Sequence, residues 1–171
     1  RNAGFSHADP QRLYLPPIMD PIYGYEAVNV EAQARDPSSL LNWMRRMLEV
    51  RKRQKAFGRG AMKLLAPANR RILAYIRSFE KYVTQNVDGN NEPAREVVLC
   101  VANVSRSAQA VELDLSAFEG CVPVEMIGGS AFPPIGRLPY LLTLPPYGFY
   151  WFLLAENRRM PAWHFPYPEP M

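Results

Sequence analysis

The chain has 171 residues, 48% of them hydrophobic, and 20 lysines and arginines against 16 acidic residues leave a formal net charge of +4. One sizeable core can be buried, and a positive balance this small, gathered in residues 45–59, argues against nucleic acid as a partner of the whole chain. No run nears the roughly 20 apolar residues that cross a bilayer, and Cys100 and Cys121 lie outside any CxxC or histidine cluster, so neither membrane, zinc nor a secreted disulfide framework is expected and the compartment reads as the cytoplasm.

Residues 1–37 open with RNAGFS and hold seven prolines and glycines without a clean period. Residues of this kind connect elements and do not nucleate them, so scaffold is expected on both sides of the opening loop. The stretch also contains PPIMDPIYGYEAVNVEAQ, rich in aromatic and aliphatic groups. A long apolar loop cannot bury itself and must lie against a protein surface.

DPSSLLNWMRRMLEVRKRQKAFG, residues 36–58, reads as one helix. Asp36 or Ser38 can accept from the free first-turn amides, Pro37 tolerates an early helical position, and Gly58 supplies a left-handed stop. At 100° per residue Leu40, Leu41, Trp43, Met44, Met47, Leu48 and Val50 share one arc, with Arg45, Arg46, Glu49, Lys52 and Arg53 opposite. Trp43 and Met47 need cover. Arg51 falls inside the apolar arc, where its guanidinium needs a carboxylate or several carbonyls, because an unpaired buried charge is costly.

From Gly60 onward the period changes to two. GAMKLLAP, RRILAYIRSF, REVVLCVANVS, QAVELDLS, CVPVEMIG, YLLTLPP and GFYWFLLA are seven runs rich in β-branched, aliphatic and aromatic residues, separated by Gly, Pro, Asn and Ser. This spacing predicts an antiparallel β-sandwich. Asp88–Asn91 reads as the tip of a mobile hairpin over 83–93, and residues 156–171, with four prolines from Pro161 on, as an extended arm.

No active site assembles from these residues. His7 and His164 lie at opposite ends, Glu112, Asp114 and Glu125 read as a solvated sheet face, and Gly128 and Gly129 have no lysine after them to make a phosphate loop. No catalytic residue and no metal ligand is assigned. Tyr147, Phe149, Tyr150, Trp151 and Phe152 read as core on one face and contact surface on the other, in preference to a sugar-stacking platform. From the residues alone the chain is a helix and a sandwich, open to a free-standing role in binding carbohydrate or docking protein.

The order of these parts carries a resemblance. RNAGFS with DPQRLYLPPIMDPIYGYEAVNVEAQ, then SSLLNWMRRMLEVRK, VVLCVANVSRSAQAVELDLS and PYLLTLPPYGFYWFLLA resemble the C-terminal end of glycoside hydrolase family 13 proteins of the α-amylase superfamily, and among them bacterial trehalose synthases (maltose α-D-glucosyltransferases). The resemblance covers nearly all of residues 1–155. It implies a mainly β fold: residues 1–57 close a (β/α)8 barrel as the loop after strand 8 and the last helix (38–57), 58–155 form the C-terminal antiparallel β-sandwich, and 156–171 are a tail. It places Asn2 and Phe5 at the edge of a sugar pocket and Trp43, Arg51 and Trp151 in structural roles. The implied whole protein isomerises maltose to trehalose by double displacement, with its catalytic carboxylates and any calcium site upstream and no cofactor in this segment. Its implied partners are the rest of the barrel, maltose and trehalose, with a maltokinase and further copies of the chain as candidates.

Overall fold

A computed structural model describes residues 2–4, 6–25, 28–81 and 94–155. The chain divides into two compact units, residues 1–50 and 51–171. The expectations for Phe5, for the 83–93 hairpin and for the 156–171 arm fall outside the described residues.

The first unit is built from turns locked by side-chain acceptors. A 3-10 turn, Asn2–Gly4, is followed by a second, Pro10–Arg12, whose cap Asp9 accepts from the Gln11 amide at 3.0 Å. Asp20 accepts from the Ile22 and Tyr23 amides at 2.7 and 2.9 Å and so closes the turn after Pro17. Helix α1, Val30–Arg35, was not anticipated within the stretch read as irregular. Its signal was present: Asn29 accepts from the Ala32 amide, Glu31 sits in the first turn and Arg35 in the last, as a helix dipole favours.

Helix α2, Leu40–Arg53, starts at Ser39, whose hydroxyl accepts from the Asn42 amide at 3.2 Å. This corrects the choice of Asp36 or Ser38: Asp36 instead accepts from the Ser38 amide and tightens the turn at Pro37. The Asn42 side chain donates to the Gln33 and Asp36 carbonyls at 2.9 and 2.8 Å, which ties α1 to α2. None of the residues of α2 is buried: Trp43 and Met47 are half-buried, and Leu40, Met44 and Leu48 are exposed.

The anticipated single helix is broken at Gln54, which is extended, and a short helix α3, Lys55–Arg59, follows. Gly58 lies inside α3 and is not a left-handed stop; the cap is Gly60 at φ −75°. The break lets α3 lie on a sheet. Ala56 is fully buried, and its amide donates to the Glu96 carboxylate at 2.7 Å. Arg77 donates to the carbonyls of Ala56 and Phe57 at 3.0 and 2.8 Å. Arg51, expected within an enclosed apolar arc, is exposed: the helix ends two residues later, and Ala56 and Phe57 supply the packing that a continuous helix would have drawn from its own stripe.

All seven anticipated strands form: β1 Ala61–Leu65, β2 Ile72–Lys81, β3 Ala94–Asn103, β4 Gln109–Leu113, β5 Val122–Glu125, β6 Tyr140–Leu144 and β7 Phe149–Ala155. Five make an antiparallel sheet in the order β1-β2-β3-β7-β5, and β4 pairs with β6. The period of two sends alternate side chains to opposite faces. Ile72, Ala74 and Ile76 of β2, Val97, Leu99 and Val101 of β3, and Phe152 and Leu154 of β7 join Val111, Leu113, Leu142 and Leu144 of the small sheet in one core. Asn103 is the buried polar group at its edge. Its amide donates to the Ser107 and Pro145 carbonyls at 2.8 and 2.9 Å and its oxygen accepts from the Ser105 amide at 3.0 Å, which joins two loops.

Candidate functional site

Asn2 lines an open cleft formed by its own segment. The cleft, about 310 Å³, is lined by Asn2, Ser6, Leu15, Ile18, Tyr23 and Tyr25 among others. Asn2 adopts φ 53°, a left-handed conformation that asparagine tolerates better than most side chains. Its amide donates to the Ser6 and Ala8 carbonyls at 3.1 and 2.8 Å, so the side chain braces the opening loop from within. Tyr14, Leu15, Ile18, Met19, Ile22 and Tyr23 are all more than 60% exposed, an apolar surface of the kind that monomers rarely leave to water.

Three carboxylates of the first unit, Asp9, Asp20 and Asp36, are turn acceptors. Asp9 and Asp36 each accept from a backbone amide two residues on. Amide donation from Tyr23 and Ile22 holds Asp20 below the usual carboxylate range, which suits a capping anion and is the opposite of what a general acid requires. Among the described residues no group of three or more His, Cys, Asp or Glu is placed to hold a metal ion.

Glu112 is exposed on the small sheet, as its alternation implied, whereas Asp114, also exposed, lies just past β4 and accepts from the Ser116 amide at 3.1 Å. Glu125 differs from the expectation of a solvated face. It is half-buried at the end of β5, where its carboxylate accepts from the Ile127 and Gly128 amides and caps the turn that follows. A second, wider cleft of about 510 Å³ lies over the loop that leads into β6, lined by Pro133, Pro139, Tyr140 and Leu141. There the Tyr140 hydroxyl donates to the Pro133 carbonyl at 2.8 Å, and Arg137 pairs with Glu119 at 3.0 Å at an exposed rim.

The aromatic run of β7 splits as its period requires. Tyr150 and Phe152 meet Phe132 edge-on at 5.6 and 4.8 Å on the core side. Trp151 faces the other way, under Phe57 of α3 at 4.9 Å. A sugar-stacking platform needs an open aromatic face, and Phe57 takes that of Trp151. Beside it, Cys100 is buried and free, its thiol pushed up to about 11 by desolvation, and desolvation together with its hydrogen bond to Cys100 pushes the Tyr75 phenol up to about 12.

The family of the maltogenic amylase C-terminal domain matches residues 62–151, a span that takes in β2 to β6 whole, all but the first residue of β1, and the first three residues of β7. The chain belongs to that family. As a maltogenic-amylase C-terminal domain preceded by about 60 further residues, it is 52% identical to a trehalose synthase of a Pimelobacter species over 91% of this chain and 26% of that protein. It is likewise 52% identical to the trehalose synthase/amylase of Mycolicibacterium smegmatis, over 99% of this chain and 26% of the other. In both the match lies in the C-terminal region, and the chain spans about a quarter of their length. The fold also recurs in a crystal structure of a trehalulose synthase, at a TM-score of 0.56 and 22% identity over 90% of this chain and 24% of that one.

Proposed function

We propose that the chain is the C-terminal quarter of a trehalose synthase, and that it closes and caps the catalytic barrel of that enzyme without supplying a catalytic group. The observation that carries this is the 52% identity to trehalose synthases over nine-tenths or more of the chain. The apolar surface left open on the 14–23 segment supports it, because it matches what a barrel would cover.

In this reading a carboxylate upstream attacks the anomeric carbon of maltose as a second carboxyl group protonates the departing oxygen. The freed glucose is retained, turned, and returned through its own anomeric hydroxyl, whose proton passes back to that second group; two inversions give net retention. Carboxyl groups roughly 5 Å apart are needed for this chemistry, whereas Asp9, Asp20 and Asp36 are spent on turns. Asn2 and Phe5 border the sugar pocket, with Asn2 holding the loop in shape. The enzyme works in the cytoplasm; a maltokinase and further copies of the chain are its candidate partners, and any calcium it binds sits upstream.

The test is turnover. The purified 171-residue chain, given maltose, is expected to form neither trehalose nor glucose above the blank, and the frame extended upstream to include the barrel is expected to form both. Trehalose made by the short chain, and lost on mutation of one of its own carboxylates, would place the active site here and sink the proposal.

A further inference from the structure

Of the aromatic residues gathered between Tyr147 and Phe152, Tyr147 alone stands outside β7, and its side chain is left open, 63% exposed. It sits in a turn. The Gly148 amide donates to the Pro145 carbonyl at 2.9 Å, which closes four residues with Pro146 second and Tyr147 third, at φ 52°. A positive φ after a proline is the mark of a type II turn, which asks for glycine or asparagine at that place, and for an aromatic residue it is strained. So exposed a ring adds little packing to offset the strain. The surrounding structure imposes it instead. Asn103, 3% exposed, donates its side-chain amide to the Pro145 carbonyl at 2.9 Å and its backbone amide to the Gly148 carbonyl at 2.8 Å. The Tyr147 amide donates to the Ser105 carbonyl at 3.1 Å, and the Val104 amide to the Arg71 carbonyl at 2.9 Å. Loops 66–71, 104–108 and 145–148 are thereby braced together at one end of the sandwich. With Tyr147 that end presents Val104, 60% exposed, and the exposed Arg71 and Arg106.

We propose that this end of the sandwich binds an α-1,4-linked glucan chain, with the C–H face of a glucose ring on Tyr147 and its hydroxyl groups accepting from Arg71 and Arg106. A glucose ring is apolar across its faces and polar around its edge, which suits an aromatic side chain with forked donors beside it. None of the three loops holds an acidic residue, so no carboxylate within them competes for those donors. A ring held rigidly in the open gives a sugar a surface that needs no ordering when it binds. The choice of sugar rests on the reading above, in which the whole enzyme takes maltose, itself two α-1,4-linked glucose units.

Tyr147→Asn separates binding from folding, because it removes the ring and gives the turn a residue that its φ favours. In the 171-residue chain this variant is expected to keep or raise the urea midpoint of the parent and to lose the parent's retardation in a native gel cast with glycogen. Its affinity for maltoheptaose is expected to fall at least about fivefold, the share of a lost stacking contact. Tyr147→Phe keeps the aromatic face and should bind as the parent does. A parent chain that glycogen does not retard overturns the proposal, and so does a Tyr147→Asn chain retarded as strongly as the parent. A lowered midpoint in Tyr147→Asn overturns it too, since the ring then serves the fold. Trehalose formation is followed separately on the barrel-extended protein. Retardation of the short chain without trehalose from the long one leaves the site standing and sinks the assigned reaction; trehalose without retardation does the reverse.

Discussion

Gly60 ends α3 where the chain turns onto β1, and its need for glycine is steric. A methyl group there would stand 2.6 Å from the Ala56 carbonyl oxygen and 2.8 Å from that of Ser78. Gly60→Ala is therefore expected to destabilise the fold by about 1–3 kcal/mol, the cost of overpacking. Gly58, helical and with open space where its methyl would go, makes the opposite prediction: Gly58→Ala should stabilise by about 0.5–1 kcal/mol through helix propensity. Urea midpoints of the two variants against the parent check both signs at once. Equal shifts would contradict the assigned positions of the two glycines.

The Tyr75–Cys100 pair carries a pH dependence whose sign follows from its neutrality. Both acids ionise later in the fold than their ordinary values of 10.0 and 9.0, at about 12 and about 11. The unfolded chain therefore releases these protons first, so the stability the pair contributes is whole below pH 9 and is lost as pH rises towards 12. Unfolding followed across that range should show a decline that Tyr75→Phe with Cys100→Ala reduces. A decline of undiminished size in the double variant would assign it to other groups.

At the scale of elements, α3 owes its place to two charged side chains on neighbouring strands. Glu96 takes the Ala56 amide near its start, and Arg77 takes the carbonyls of Ala56 and Phe57. These are charge-assisted bonds to a helix too short to persist by itself. Arg77→Met leaves the Phe57 carbonyl without this donor and the Ala56 carbonyl with the Gly60 amide alone, at an expected cost of about 1–3 kcal/mol. Because Phe57 lies on Trp151, the variant should also shift Trp151 emission before global unfolding. Unchanged emission and an unchanged midpoint would mean that α3 holds without Arg77.

For the whole molecule, the 14–23 segment exposes aromatic and aliphatic groups that its own turns do not cover. The proposed barrel would cover them. Amide exchange over residues 6–25 is accordingly expected to be fast in the 171-residue chain and slowed strongly in the barrel-extended protein. Equally strong protection in both would show that the segment is self-supporting, and would remove the structural support for an absent partner.

The strands, the sandwich class and the split of the β7 aromatics were legible in the sequence because the pleat has a period of two and each residue's face depends on its neighbours alone. Helix α1 was missed although Asn29 and Glu31 carry its signal, because proline and glycine around it masked that signal. Only the tertiary structure could break the second helix at Gln54, since α3 is held by Glu96, 40 residues from the Ala56 amide it accepts from, and by Arg77, 20 or 21 residues from the carbonyls it binds. It likewise left Arg51, Met62 and Leu64 exposed. A chain pattern says which residues share a face, and what lies against that face is decided by segments distant along the chain.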